Sequence, residues 1–173
     1  MDFPQNIMAA HEKDGRTMQH LTLQHACKDD IDFVFALAND SDVRKMSFNS
    51  EKISWKTHQS WFTHQLNEKN PFYIVFVDDI PCAYVRMQKN AYIPIEDYVV
   101  SIAVHPVYRR NGIATEALHQ ACTQVLASTW VKKVWAIVKN ENKISLKMFI
   151  KASFKKLDTC VIYGHTAVRL VYP

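Results

Sequence analysis

The sequence predicts a mixed α/β fold of seven strands and four helices. Seven short runs of β-forming residues are interspersed with four segments whose apolar residues recur at helical spacing. The 173 residues, 48% of them hydrophobic, are enough for one domain with a core. A strand–helix–strand unit lies at the centre of the chain, and such units cross over with a right hand.

The first half of the chain is predicted to hold an arm, three strands and two helices. Residues 1–18 are polar and aperiodic, which indicates a mobile N-terminal arm before a single domain over residues 19–173. Residues 43–50 are polar and are predicted to be irregular. The expected elements are a strand at Leu21 and Leu23, a helix capped by Asp29 or Asp30 and ending at Asn39, a helix over 55–68 capped by Ser54, and a hairpin of strands over 72–77 and 80–88.

The second half is predicted to hold four strands and two helices. The first of these strands ends at His105-Pro106, because proline cannot donate to a strand ladder. The expected elements are a strand over 98–104, a helix from residue 113 to about Ser128, a strand over 134–138, a helix containing Ile144, Met148 and Phe149, and two closing strands over 154–163 and 167–171 joined by Gly164.

An anion-binding turn is predicted between the central strand and its helix. The loop Arg109-Arg110-Asn111-Gly112 precedes the helical pattern that begins near Ile113. Free N–H groups of a first helical turn point to one spot, and the helix dipole favours negative charge there. Gly112 has no side chain to keep a phosphate oxygen from the backbone. The turn therefore predicts a phosphate-bearing ligand.

Composition narrows the class of protein. The net charge of +4 fits a small anionic ligand, but the charges form no runs, so nucleic acid is not expected as a partner. The four cysteines are far apart and show no metal-ligand spacing, which indicates reduced thiols and no metal. No segment is apolar enough to predict a membrane span or a secretion signal, so a cytoplasmic protein is expected.

Two blocks of sequence resemble the GNAT family of acetyl-CoA-dependent N-acetyltransferases. The residues Arg109-Arg110-Asn111-Gly112-Ile113-Ala114 match the family's pyrophosphate motif, Gln/Arg-x-x-Gly-x-Gly/Ala, and a strand precedes them. Asn142-Lys143-Ile144-Ser145, followed by Met148-Phe149 and Ser153-Phe154, resembles its Asn-x-x-Ser/Ala … Tyr/Phe … Gly-Phe block. The resemblance extends over about residues 21–171.

The resemblance implies a GNAT fold, which is a mixed, mostly antiparallel sheet of seven strands with four helices, and acetyl-CoA as cosubstrate. Strands 98–104 and 134–138 are expected to splay apart and to hold the pantetheine like an extra strand. An amide near Ile102 or Val104 would polarise the thioester carbonyl, and Asn142 would bond the cofactor near its pantetheine arm. The cofactor-binding residues implied are Ile102, Ala103, Val104, Arg109, Arg110, Asn111, Gly112, Ile113, Ala114, Thr115 and Asn142.

The catalytic side chains of the family are missing. Ile137 occupies the place of a Glu used as base, Phe149 that of a Tyr used as acid, and Tyr98 that of a Glu used as base in histone-type members. The remaining candidates precede or lie on the central strand, and a structural role is the alternative for each of them. The catalytic candidates are Asp97, Tyr98 and Ser101, with Glu96 and His105 beside them.

The acceptor is predicted from residues 42–62 and the hairpin. These segments are similar to a GNAT branch that acetylates the 4-amino group of nucleotide-linked deoxy-sugars, including enzymes of the pseudaminic-acid pathway. Two arginines would pair with a diphosphate and a tryptophan would stack on a base or a sugar. The alternative is that the second helix buries its aromatic residues in the core, with the histidine at its edge. The substrate-binding candidates are Arg44, Trp55, His58, Trp61 and Arg86.

Three functions therefore remain open. The first is acetyl transfer to a small or sugar-nucleotide amine, the second is acetyl transfer to a protein amine, and the third is a non-catalytic acyl-CoA-binding module. A homodimer is common in the family and is a further possibility here.

Overall fold

The computed structural model describes residues 20–128 and 130–173, so the arm predicted over residues 1–18 lies outside the described residues. Seven strands form one sheet in the order β1-β2-β3-β4-β5-β7-β6. Among these described strands only β4 and β5 pair in parallel, which confirms the prediction of a mixed, mostly antiparallel sheet. The strands are β1 (Leu21–His25), β2 (Phe72–Val77), β3 (Ile80–Gln88), β4 (Tyr98–Val104), β5 (Val134–Lys139), β6 (Lys155–Ile162) and β7 (His165–Tyr172).

Helices cover both faces of the sheet. The α-helices of the described chain are α1 (Ile31–Ala38), α2 (Ser41–Met46), α3 (Trp55–Asn67), α4 (Ile113–Ser128) and α5 (Lys143–Lys151). The predicted cap of α3 is present, since Ser54 accepts from the Thr57 amide. The prediction that residues 43–50 are irregular is wrong for α2, which Asp40 caps by accepting from the Val43 amide at 3.1 Å. Its six residues are too few to show a helical period.

Two clusters of buried apolar residues divide the faces. The larger cluster packs β2–β5 and β7 against α4 and α5, and we call this side the α4/α5 face. The smaller cluster packs β2, β3 and β4 against α1 and α3, and we call this side the α1/α3 face. Strand alternation assigns the side chains of Tyr84, Arg86, Ser101 and Ala103 to the α1/α3 face, because Tyr84 and Ala103 belong to its cluster.

The two central strands separate after a short stretch of pairing. β4 and β5 pair only at Tyr98↔Val134 and Val99↔Trp135, although both strands continue beyond these positions. β4 remains paired with β3 along the whole of this stretch, and β5 with β7. The sheet therefore opens between Val100–Val104 on one side and Ala136–Lys139 on the other, as the resemblance implied, and we call this opening the gap.

Candidate cofactor and acceptor site

The register of β3 and β4 determines which backbone groups enter the gap. The His105 amide donates to the Cys82 carbonyl at 2.8 Å, which extends the β3–β4 ladder by one hydrogen-bonded pair. Such pairs alternate in antiparallel strands, so every second residue of β4 directs its N–H toward β5 instead. Ile102 and Val104 are residues of this second kind. Within the described chain their amides have no backbone partner, and the edge they form can hold an extended ligand.

The turn after β4 directs a second set of amides outward. In the part of the chain that the structure describes, the N–H groups of residues 110–114 have no backbone acceptor. Arg110 and Gly112 have positive φ angles of 68° and 82°, which curl the backbone ahead of α4. Such a curl followed by a helix N-terminus is a concave anion site. The fit to a diphosphate is therefore good for Arg110, Asn111, Gly112, Ile113 and Ala114, whereas the Thr115 amide already donates to the Gly112 carbonyl at 3.0 Å.

Arg109 is placed differently from the prediction. Its guanidinium donates to Asp40 Oδ1 at 2.6 Å, to Asp42 Oδ2 at 2.7 Å and to the Val104 carbonyl at 3.0 Å. Its own amide donates to the Pro106 carbonyl. Because all these groups are engaged, Arg109 joins the start of α2 to the end of β4 and is not free to bind a phosphate.

Asn142 lies where the gap meets α5. Its Oδ1 caps the helix by accepting from the Ser145 amide at 3.1 Å, and its amide donates to the Lys139 carbonyl at 2.9 Å. The Nδ2 group makes no hydrogen bond with the described residues, so it remains available to a cofactor carbonyl. Ile102, Ala103, Val104 and Asn142 thus border one opening.

Asp97 was predicted to be a catalytic group, but its contacts in the structure are those of a residue that stabilises the sheet. Its side chain is 3% exposed, and its two carboxylate oxygens accept from the Lys133 amide at 3.1 Å and from Trp135 Nε1 at 2.8 Å. With both oxygens engaged and water excluded, Asp97 holds the start of β5 against β4. It is a poor candidate for a base.

Of the other catalytic candidates, Ser101 has the best position. It pairs with Arg86 across β3 and β4 and is half-buried on the α1/α3 face beside the gap. Tyr98 lies at the closed end of the gap, where the Lys89 ammonium stands 4.3 Å from its ring centroid. Glu96 is exposed outside the sheet, and the His105 ring packs near Tyr108 at the other end of β4.

Apolar residues occupy the positions of the two missing catalytic side chains and pack against other apolar residues. Ile137 packs in a small cluster with Val99 and Trp135. Phe149 is buried against Phe154 with ring centroids 5.0 Å apart. Neither position carries a group that can transfer a proton.

Two arginines flank a buried tyrosine on the α1/α3 face. Tyr84 is 6% exposed, and both Arg44 and Arg86 interact with its hydroxyl, whose pKa burial raises. Burial likewise lowers the pKa of both guanidiniums. Among the described residues neither arginine forms an ion pair with a carboxylate. Arg44 holds the α2–α3 loop by donating to Ser47 Oγ and to the Asn49 carbonyl, but its buried Nε has no partner there.

The aromatic candidates on α3 divide into two groups. The Arg86 guanidinium lies 5.1 Å from the Trp61 ring centroid, and Trp55 is 41% exposed at the start of the helix. Both can therefore contact an acceptor. His58 is only 1% exposed and its Nε2 bonds the Ile31 carbonyl at 3.0 Å, so it belongs to the packing between α1 and α3. The interpretation of His58 as a substrate ligand is wrong, because α1 covers it.

Tyr84 and Lys139 lie at this site but were not predicted from the sequence to belong to it. Tyr84 precedes Arg86 by two residues, a spacing that puts both on one face of a strand. Lys139 is buried at the end of an apolar strand. A charged residue in such a strand was the sequence signal that could have pointed to this position. No group of side chains in the described chain is arranged to bind a metal ion. None of its helices has the length and apolarity that a bilayer crossing requires.

Comparisons with known proteins agree with this geometry. The family model of the acetyltransferase (GNAT) domain matches residues 20–155. An acetyltransferase from Salmonella typhimurium, solved with its cofactor acetyl-CoA, shares 13% identity with a TM-score of 0.72, covering 87% of this chain and 92% of that one. A search of curated proteins finds no match.

Two further solved structures differ in their acceptors. One is spermidine N-acetyltransferase from Vibrio cholerae with CoA and spermine, which is 16% identical with a TM-score of 0.75 over 87% of this chain and 94% of that one. The other is ribosomal-protein-alanine N-acetyltransferase from Brucella melitensis, 14% identical with a TM-score of 0.74 over 87% and 98%. The family model covers most of the chain and the fold agrees, so the chain belongs to the GNAT family of acetyl-CoA-dependent N-acetyltransferases.

Proposed function

We propose that this acetyltransferase acts on the 4-amino group of a nucleotide-linked deoxy-amino-sugar. The observation that carries the proposal is the pair of arginines, Arg44 and Arg86, which lie on the α1/α3 face without a carboxylate partner in the described chain. Partly buried guanidiniums need a counter-charge, and a diphosphate supplies one through charge-assisted hydrogen bonds. The acceptor therefore supplies a counter-charge to these two guanidiniums.

Three carboxylates of the described chain are already engaged by donors of the protein. Arg109 engages Asp40, Asp97 accepts from two N–H donors, and Arg169 Nε donates to Asp158 at 2.6 Å. A polyamine needs several free carboxylates, so this arrangement argues against acceptors such as the spermine bound to the Vibrio cholerae relative. Trp61, next to Arg86, provides an aromatic surface for a base or a sugar ring.

The chain's own groups have separate roles in the proposed reaction. The acetyl-CoA thioester supplies the acetyl group that the amine receives. Amides of residues 110–114 bind the diphosphate of the cosubstrate, and the Ile102 or Val104 amide donates to the carbonyl oxygen that becomes negative during transfer. With no base at Ile137, the site acts mainly by positioning an amine that is already neutral.

A thiol-release assay tests the proposal. The enzyme is given acetyl-CoA with a UDP-linked 4-amino-4,6-dideoxyhexose, with spermidine, or with a peptide bearing a free N-terminus. CoA release only with the sugar nucleotide supports the proposal, and release only with the peptide supports a protein acetyltransferase instead. Tight acetyl-CoA binding without release on any amine would favour a non-catalytic module.

Two variants locate the acceptor. Arg86→Met and Arg44→Met are expected to raise KM for the sugar nucleotide on the order of tenfold or more each, because each removes a charged hydrogen-bond donor. The KM for acetyl-CoA should not change. Lys45→Met is the matched control, since Lys45 neighbours Arg44 on α2 but is exposed. An equal effect of the control and Arg44→Met would contradict the assignment.

A further inference from the structure

Lys139, the last residue of β5, is a buried cation with weak compensation. Its side chain is 4% exposed, and its Nζ lies 3.7 Å from Oε1 of Glu141, an exposed side chain. This distance allows attraction but is too long for a good hydrogen bond. Buried ammonium groups are normally both paired and hydrogen-bonded, because removing the charge from water is costly. A charge kept at such a cost beside a binding site is a candidate for a function.

The strand register places Lys139 beside the gap. Val134, Ala136 and Val138 pack into the cluster of the α4/α5 face, so Lys139 belongs to the opposite side, like Ile137. The last β4–β5 pair, Val99↔Trp135, sets the register of the two strands. Four residues further on, Lys139 stands across the gap from Ala103. The ammonium therefore belongs to the same level of the sheet as the unpaired amides of Ile102 and Val104.

The ionisable groups around Lys139 leave this level of the sheet positive. On the same face of the sheet, β4 carries uncharged residues such as Ser101 and Ala103, and β3, the next strand, carries Tyr84 and Arg86 opposite them. On β7 the positive charge of Arg169 is matched by Asp158 of β6. Arg44 of α2, His165 at the start of β7 and Glu141 lie on this side as well, and Glu68 of α3 lies beside Arg86.

We propose that the buried ammonium of Lys139 stabilises the negative charge that acetyl transfer places in the gap. The inference rests on the proposed function as an acetyltransferase and gives the site a charged group, since Ile137 and Phe149 carry neither a charge nor a proton to transfer. A fixed charge in a water-poor site acts strongly on charge that develops near it, and it needs no rearrangement at the moment of reaction.

The proposed reaction balances without a proton transfer to or from Lys139. The amine nitrogen forms a bond to the acetyl carbon, while the carbon–sulfur bond breaks and leaves its electron pair on sulfur. The proton that the nitrogen loses reaches the sulfur through solvent, so the products are an amide and a neutral thiol. Lys139 keeps its own proton throughout and lowers the energy of the sulfur while it is negative.

Binding of CoA alone provides the first test, because it needs no acceptor. If Lys139 stabilises a negative sulfur, the CoA thiol loses part of its proton on binding at mildly alkaline pH. Calorimetry in two buffers of different ionisation enthalpy measures that release. We expect proton release for the wild type, much less for Lys139→Met, and retention for Lys139→Arg. Desulfo-CoA, which lacks the thiol, should release none with any of the three proteins.

Turnover and stability provide the second test. Lys139→Met should lower kcat on the order of 100-fold with little change in KM for acetyl-CoA, because the lost interaction is made as charge develops. Its Tm should be equal to or higher than that of the wild type, since a buried charge is replaced by an apolar side chain of similar length. Lys132→Met, an exposed charge just before the same strand, is the matched control and should leave both values unchanged.

Two outcomes would overturn the inference. One is equal proton release by the wild type and Lys139→Met. The other is a variant with normal kcat and a lowered Tm, which would make Lys139 purely structural. A wild-type enzyme that binds CoA with proton release but transfers acetyl to no amine would instead refute the proposed function, so the two failures are distinguishable.

Discussion

Arg109 joins two segments that are 69 residues apart, since its guanidinium donates to Asp40 Oδ1 over 2.6 Å. A second donation to Asp42 over 2.7 Å ties the same guanidinium to the first turn of α2. The helix that carries Arg44 is thereby attached to the strand end that precedes the phosphate turn. One ion-pair cluster therefore connects the turn predicted to bind the cofactor diphosphate with the helix proposed to bind the acceptor.

Breaking this cluster should destabilise the protein. Arg109→Met leaves Asp40 partly buried without its charged donor, and we expect a loss of about 1–3 kcal/mol in the free energy of unfolding. Urea denaturation at neutral pH measures it. Arg110→Met is the control, because that side chain is exposed and makes no ion pair within the described residues. Equal stability of wild type and Arg109→Met would contradict the structural role.

The same contact predicts a dependence on acid. Burial raises the pKa of the Asp40 carboxyl, but the hydrogen bond and the charge of Arg109, together with the Val43 and Asp42 amides, outweigh burial and hold the pKa below its usual range. A lowered carboxyl pKa stabilises the fold above the unfolded value of about 3.9. That part of the stability is lost as the pH falls through the lower folded value. In Asp40→Asn the free energy of unfolding should depend less on pH below about pH 4 than in the wild type. Urea unfolding of both proteins at about pH 3 and about pH 6 measures the difference.

Gly112 should matter for the cofactor and not only for the backbone. At φ 82° any other residue is strained by about 1–2 kcal/mol, although a methyl group on its Cα would have no atom within 4 Å. Gly112→Ala is expected to weaken acetyl-CoA binding in calorimetry, because relief of the strain turns the amides of the loop. Gly164→Ala is the matched control, with φ 77° in the β6–β7 turn. It should cost similar stability with no change in acetyl-CoA affinity.

His58 should make the fold sensitive to mild acid. Burial lowers its pKa, so the folded protein keeps the ring neutral where the unfolded chain would protonate it. The resulting stability is complete above the unfolded pKa of about 6.5 and decreases as the pH falls below that value. His58→Leu should remove this slope when unfolding is compared at pH 5 and 7.5. His64→Leu, an exposed position on the same helix, should retain it.

Asp97 and Ser101 are separable by kinetics. Asp97→Asn replaces an acceptor oxygen by a donor that meets the Trp135 or Lys133 N–H, so stability should fall by about 1–3 kcal/mol. The pH profile of kcat/KM should keep its shape, because both carboxylate oxygens are already engaged by N–H donors. Ser101→Ala should change kcat without changing stability, since its hydroxyl has no hydrogen bond in the described chain. If the acidic limb of the pH profile of kcat/KM shifted in Asp97→Asn, Asp97 would be a catalytic group after all.

Local signals accounted for most of the fold. The alternation in residues 72–88 predicted the hairpin, and Ser54 predicted the start of α3 within one residue. α2 was missed because it is short and polar. The phosphate turn was recognisable because glycine and a helix start are local features that determine the direction of N–H groups.

Side-chain roles were harder to predict. Arg109 and His58 were assigned to ligands, yet each finds its partner in a distant segment, at Asp40 and Ile31 respectively. Asp97 was assigned to chemistry, yet Trp135 engages it from the next strand. In each case the side chain that the motif assigned to a ligand or to catalysis instead contacts a residue far away in the sequence.

Apart from α2, the sequence alone determined the order of strands and helices, the GNAT family and the turn predicted to bind a diphosphate, since periodicity, caps and glycine act over a few neighbouring residues. Only the tertiary structure decided which charges lack a close carboxylate partner. The register of the sheet puts Arg86 and Lys139, from two separate strands, on one face. Packing of α2 brings Arg44 to Tyr84 on the same face. Pairing between distant segments follows from packing and burial, which no short stretch of sequence contains.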